Sequence, residues 1–273
     1  MKRHMRRASS FSATFLMMAV SLGGAAPHSA AGFSPEQAAP TAVSSPPDSP
    51  HPRELTLEQR ADIFMARKNY ADAADYYYRA IKLSNLKDPE LWNKLGIAYQ
   101  QDSKLHRARQ AYTHATHVDK NFAEGWNNIG TVYFTEKKYG KSVPYYLRAI
   151  KLRNDTAAFH MNLGTSYYHL KKLDEAVEEY RTALGIDPKV VSQQSGVATV
   201  IHAGATDVEF YFYLAKAFAS IGNAEDAVRY LRRALEDGYG DPKRIQEDPD
   251  FKKISQYPAF VELMRNPPIA IKN

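Results

Sequence analysis

Nine histidines, no cysteine and a recurring asparagine are the chemistry-bearing residues of this chain of 273. His114 and His117 lie three apart, with His106 two turns before, a spacing that puts them near one side of a helix. Zinc needs three or four ligands in tetrahedral reach. No acid falls between Asp102 and Asp119, and no thiolate exists anywhere in the chain, so no metal is expected. The same acid-free stretch holds Lys104, Arg107 and Arg109, which leaves two readings, solvated surface or a basic contact patch. No serine sits in a G-x-S-x-G turn, and neither a Gly-rich phosphate loop nor an H-E-x-x-H pair occurs. Neither a catalytic residue nor a cofactor is therefore expected. The asparagines are different. They fall in three related words, WNKLG, WNNIG and HMNLG, as Asn93, Asn127, Asn128 and Asn162. An amide can donate and accept at once, which suits it to a peptide backbone.

Those words belong to a repeat. Trp92, Leu95, Gly96 and Tyr99 return as Trp126, Ile129, Gly130 and Tyr133, then as His160, Leu163, Gly164 and Tyr167. Each step is 34 residues, and each block is followed by a second: Ala108, Tyr112, Ala115; Ser142, Tyr146, Ala149; Ala176, Tyr180, Ala183. Spacings of three, four and seven share one helix face, so each block predicts one helix of a pair. A mid-helix glycine costs about 1 kcal/mol against alanine, so its reuse needs a packing reason. Large Tyr opposite small Gly or Ala lets two helices interdigitate. One hairpin cannot bury such a stripe alone; a stack of hairpins can.

The template extends upstream through Leu57, Ala61, Phe64, Ala73, Tyr77 and Ala80, and downstream through Tyr211, Leu214, Ala215, Phe218, Ala227, Leu231 and Ala234. The repeats are placed near 54–88, 89–122, 123–156, 157–190 and 208–241. The expected fold is all-α, a right-handed α-solenoid of about five hairpins closed by a C-terminal segment of short helices over 242–273. There, Asp241-Pro242, Asp248-Pro249 and Tyr257-Pro258 each open a helix, and Phe251, Ile254, Phe260, Leu263 and Met264 face the last repeat. Thr56 with Gln59, and Thr206 with Glu209, predict capping boxes; Asp88-Pro89 predicts a capped start. Pro144 predicts a small kink at most. His160, standing where earlier repeats have Trp, is expected to be a partly buried packing residue.

The pattern W-x2-L-G-x2-Y, then A-x3-Y, then Ala, resembles the tetratricopeptide repeat (TPR) over about 170 residues. The resemblance implies a module that holds other proteins, with its first helices lining a concave groove. Asn128 and Asn162 share one template position, which Lys94 holds one repeat earlier. Stacked there, they resemble the asparagine ladder with which some TPR proteins hold extended peptides. Asn93, Lys94, Asn127, Asn128, Asn162 and the flanking Tyr168 are then groove residues, with Asn128 and Asn162 solvated in the free protein. The alternative is that Asn merely fills a polar helix face. The two-carboxylate clamp of chaperone-binding TPRs is not matched, since Asn93 and Ile97, then Ala158 and Asn162, stand at its positions.

The remaining segments set the context. Lys2, Arg3, Arg6 and Arg7 precede an apolar run from Phe11 to Ala26 and the small residues Ser29-Ala30-Ala31, as in a cleaved export signal over 1–31. An uncleaved anchor is the second reading. Without cysteine, an exported protein of this kind fits a bacterial periplasm or medium, and no later segment could cross a bilayer. Residues 32–53 form a Pro-rich linker. Residues 191–207 insert between the fourth and fifth repeats as an extended or irregular segment, either a passive loop or a flap over the groove. The net charge of +6 arises mainly from the first 31 residues, without which 32 bases face 30 acids. A nucleic-acid partner is therefore not expected. The expected partner is a protein or peptide, and self-association is the alternative.

Overall fold

The computed structural model describes residues 54–191 and 208–270. The expected export signal, the Pro-rich linker, the Thr206 cap and all but the first residue of the 191–207 insertion lie outside the described residues. Thirteen helices run through those described: α1 (Leu57–Ala66), α2 (Tyr70–Leu83), α3 (Pro89–Gln101), α4 (Leu105–Val118), α5 (Ala123–Thr135), α6 (Tyr139–Leu152), α7 (Ala157–His169), α8 (Leu173–Ile186), α9 (Val208–Ser220), α10 (Ala224–Glu236), α11 (Pro242–Glu247), α12 (Pro249–Lys252) and α13 (Pro258–Arg265). The first ten pair as five antiparallel hairpins, and α9 packs on α8, so the stack continues into the fifth hairpin. The fold is an all-helical TPR-type solenoid with short helices at its end.

Local chemistry sets the starts. Thr56 Oγ1 accepts from the Gln59 amide while Gln59 Oε1 accepts from the Thr56 amide, closing the capping box. Asp88 Oδ1 accepts from the Leu91 amide ahead of Pro89, and Asp241 and Asp248 cap α11 and α12 likewise. Inside each hairpin the turn reuses one device. Lys68, Ser103, Lys137, Lys171 and Gly222 all take positive φ. The next amide then reaches back to a carbonyl five residues before it, as Lys138 does to Tyr133 at 2.9 Å. Pro144 lies six residues into α6 without interrupting it.

The two helices of a hairpin meet where one lacks a side chain. A Cβ built on Gly130 would lie 2.7 Å from the Tyr146 ring, and one on Gly164 would lie 2.7 Å from Tyr180. Gly96 faces Tyr112 in the same way. All three tyrosines are buried, and burial pushes each phenol above its ordinary pKa. The small positions Ala80, Ala115, Ala149, Ala183 and Ala234 are buried in all five hairpins.

The Trp position has a second task. Trp92 Nε1 donates to the Leu86 carbonyl (3.1 Å) and Trp126 Nε1 to the Lys120 carbonyl (2.9 Å), each six residues upstream. His160 copies this, its Nε2 lying 3.1 Å from the Asn154 carbonyl, and its Nδ1 meets Glu179 Oε2 at 2.7 Å. It is a packing residue, as expected, and is buried more fully than the partial burial expected of it. With an acceptor on each ring nitrogen, the doubly protonated form satisfies both. Burial alone would lower its pKa; the hydrogen bonds to Glu179 and Asn154 and the Glu179 charge outweigh it and raise the value.

Neighbouring hairpins pack unequally. α3 touches α5, and α5 touches α7, whereas α2, α4 and α6 reach the next hairpin chiefly through its odd-numbered helix. The odd helices therefore form the inner layer of the curve and the even helices splay outside it. At the end of the stack, Phe251, Ile254, Phe260, Leu263 and Met264 are buried in one cluster with Leu214, Phe218 and Leu231, sealing the last hairpin.

Two outcomes test this packing. Ala149 touches no water and shares a cluster with Ala123 and Phe159, so Ala149→Leu should overpack the site and lower unfolding free energy by about 1–3 kcal/mol; an unchanged urea midpoint would contradict it. His160 has a folded pKa above its unfolded value. Its contribution is thus complete below about pH 6.5 and is lost as pH rises through the folded value. The stability difference between the parent chain and His160→Trp should shrink from about pH 5.5 to about pH 8.5, and a pH-independent difference would refute the charged-pair assignment.

Candidate functional site

The asparagines lie on the inner layer, on α3, α5 and α7, and they are joined to one another. Asn162 Nδ2 donates to Asn127 Oδ1 at 2.9 Å. Asn127 Nδ2 donates to Asn128 Oδ1 at 3.2 Å. Asn128 Nδ2 donates to Asn93 Oδ1 at 2.8 Å. One amide chain thus crosses three repeats. The register is one period plus one residue: the residue just after the Trp position in one repeat accepts from the second residue after it in the next. Asn128 and Asn162 share a template position but are not direct partners, because parallel helices in adjacent hairpins meet with this one-residue offset.

The same register continues upstream with different chemistry. Allowing for the extra residue of the first repeat, Glu58 matches Asn93, and Lys94 Nζ lies 2.7 Å from Glu58 Oε1. Lys94 also reaches Asp62 at 3.2 Å, and Tyr77 Oη donates to Asp62 Oδ1 at 2.5 Å. Burial would lower the Lys94 pKa, but Glu58 and Asp62 outweigh it and raise it. Downstream the matching pair is Met161 and Tyr213, both in the apolar cluster around α9. The row therefore runs from an ion pair, through two amide junctions, to an apolar junction.

A second set of polar contacts ties the row to the hairpin interlock. Thr131 Oγ1 donates to the Asn127 carbonyl and accepts from Tyr146 Oη at 3.4 Å. Thr165 repeats this with the Met161 carbonyl and Tyr180 Oη. Neither threonine was singled out from sequence, although their 34-residue spacing carried the signal. Glu58 was equally legible once the longer first repeat is allowed for.

Burial corrects one expectation. Asn127, Asn128 and Asn162 are not solvated; they are 0, 6 and 0% exposed. An isolated buried amide is costly, and these three satisfy one another instead. Asn93 is half-buried, and the Lys94 side chain keeps 33% of its surface exposed. Accessibility thus lies at the α3 end of the row, beside the partly exposed Ile97 and Gln100. Tyr168 was expected to flank an open surface. It is instead 1% exposed, its ring set edge-on to Phe210 at 5.7 Å and its hydroxyl 3.4 Å from Glu209. Of the histidines weighed as ligands, His114 stacks on Trp92 with centroids 4.4 Å apart, while His106 and His117 are exposed. Among the described residues, no helix is long and apolar enough to cross a membrane.

No curated protein matches the chain. Among solved structures, a crystal structure of MamA is 22% identical, covering 64% of this chain and 92% of that one, with a TM-score of 0.47. MamA from Desulfovibrio magneticus is 16% identical over 66% of this chain and 92% of that one, at 0.48. YrrB, described as a TPR protein with an unusual peptide-binding site, is 17% identical over 66% and 83%, at 0.45. Tetratricopeptide repeat family profiles match residues 93–155, 138–190 and 209–239. These spans carry the glycine–tyrosine interlock and the amide row, and the chain belongs to the tetratricopeptide repeat family.

Proposed function

We propose that this chain is a non-catalytic scaffold that holds a protein segment or extended peptide along its inner, odd-helix layer. The observation that carries the proposal is the row of amide and charged groups crossing consecutive repeats at one register. An extended peptide presents alternating donors and acceptors along its length, and a regular row of the same groups can match them. The row's own bonds leave capacity over: each amide has two N–H donors and an oxygen with two lone pairs. Asn93 and Lys94 are the reachable members, so the ligand engages first at α3, while Asn127, Asn128, Asn162 and Tyr168 act behind them by fixing the row. The residues 1–31 support a setting in the bacterial cell envelope, as a periplasmic or secreted adaptor or assembly factor. Nothing in this reading requires a metal, a cofactor or a nucleic acid.

The test begins with capture of partners by the full chain from envelope extract, identified by mass spectrometry, followed by calorimetry on a defined peptide. Asn93→Asp retains the oxygen that Asn128 needs and removes the N–H donors offered outward. It should weaken the complex about two- to tenfold while leaving the urea midpoint near its parent value. Equal affinities would remove Asn93 from the binding surface. Asn128→Ala should behave oppositely for the fold. It strands the buried donor Asn127 Nδ2 and costs about 1–3 kcal/mol of stability; a loss below about 0.5 kcal/mol would mean the amide chain is ordinary helix surface.

A further inference from the structure

The outer layer carries a second candidate surface. Because the even helices splay, clefts open between them with an odd helix as floor. One, about 550 Å³, lies between α4 and α6. Trp126 and Ile129 of α5 form its floor, and Pro144 and Tyr145 of α6 one wall. His117, Lys120 and Arg148 stand at its rim. A smaller cleft of about 230 Å³ shares Ile129 and Tyr145 with it, so the two run together along α5.

Several substitutions between repeats accompany the roomier cleft, with Thr113, Tyr145 and Arg148 here in the places of Tyr78, Ala111 and His114. Between α2 and α4 the equivalent tryptophan, Trp92, is covered by His114, and the cleft is about 320 Å³. Thirty-four residues on, the place of His114 is taken by Arg148, whose guanidinium stands 5.9 Å from the Trp126 ring centre. A compact stacked ring is replaced by a longer arm with its charge at the rim, and Trp126, loosely stacked on Tyr145 with centroids 6.3 Å apart, is left partly exposed.

The charge around the cleft has one sign. Neither α4 nor α6 contains an acid, while together they carry Arg107, Arg109, Lys141, Arg148 and Lys151. Arg109 is engaged by Glu136. Arg148 and Lys120 have no carboxylate partner among the described residues. An apolar aromatic floor with unpaired cations on its rim suits a ligand that is apolar at its centre and anionic at its edges.

We infer that the α4–α6 cleft is a docking site for an acidic peptide segment, whose aliphatic or aromatic side chain lies over Trp126 and whose flanking carboxylates meet Lys120 and Arg148. This site is separate from the inner layer and takes a different class of segment, so one chain can join two partners. A nucleic acid is the poorer fit, because the basic zone does not extend as a stripe: Glu136 interrupts it beside Arg109, and α8, the next outer helix, carries Asp174, Glu175, Glu178 and Glu179.

The chain has two tryptophans, and Trp126 lies in the cleft, so intrinsic fluorescence reads occupancy. The probe is an acetylated, amidated octapeptide of sequence EDLFEDLE, titrated into the full chain at low salt. The expected result is a saturable fluorescence change that weakens about tenfold or more in Lys120→Glu and in Arg148→Glu, and that falls with added salt. Lys120 is exposed, so its variant keeps the test valid if Arg148→Glu does not fold. Four results would overturn the inference: no saturable change up to about 1 mM peptide, equal binding by both folded variants, tighter binding of a single-stranded oligonucleotide at the same cleft, or a parent dimer in sedimentation that Lys120→Glu converts to monomer, which would assign the cleft to a second copy of the chain.

Discussion

A missing side chain holds the architecture together. Where Gly96, Gly130 and Gly164 face Tyr112, Tyr146 and Tyr180, the two helices of a hairpin approach so closely that a methyl group would collide with the ring. Glycine inside a helix is unfavourable by itself. It is tolerated because the ring it admits is large and wholly buried, contributing dispersion contacts and apolar burial that exceed the local cost. The close approach also fixes how the hairpin ends are presented to the next copy. Equal hairpins then stack at equal steps, and curvature follows, with odd helices in contact and even helices splayed.

Both candidate surfaces follow from that curvature. On the inside, helices three and five, then five and seven, come close enough for their amides to bond directly. On the outside, the same splay opens clefts floored by the Trp position. The inner row is therefore structural and receptive together. Its buried members satisfy one another, and its accessible end offers Asn93 and Lys94. Such a division is physically economical: buried polar groups need fixed partners in any case, and fixing them orients the reachable ones before a ligand arrives.

Much of this was legible in the residues alone. The 34-residue period located ten helices, because Gly, Ala and Tyr at those positions admit few other arrangements. The Asp-Pro pairs and Thr56 marked helix starts by local chemistry that does not depend on the tertiary fold. The amides were found but their state was misjudged. Sequence assigns Asn128 and Asn162 to one template position, yet the one-residue offset between parallel neighbours is a property of helix crossing, not of either helix. It turned an expected open ladder into a closed chain. Tyr168 was misplaced for a related reason: its partners Phe210 and Glu209 come from the fifth hairpin, across the insertion that breaks the period. The outer cleft depends on departures from the repeat, among them Arg148 in the place of His114 and Thr113 in the place of Tyr78, which gain meaning only once Trp126 is seen beneath them.

The inner layer depends most heavily on the amides being bonded from repeat to repeat. A double-mutant cycle on Asn127 and Asn162, read by urea unfolding of the full chain, tests that bond directly. Each single alanine strands a buried polar group on its partner, whereas the double substitution removes both. The double variant should lose less stability than the two singles combined, by at least about 0.5 kcal/mol and up to about 3 kcal/mol. Additive losses, agreeing within about 0.3 kcal/mol, would contradict it.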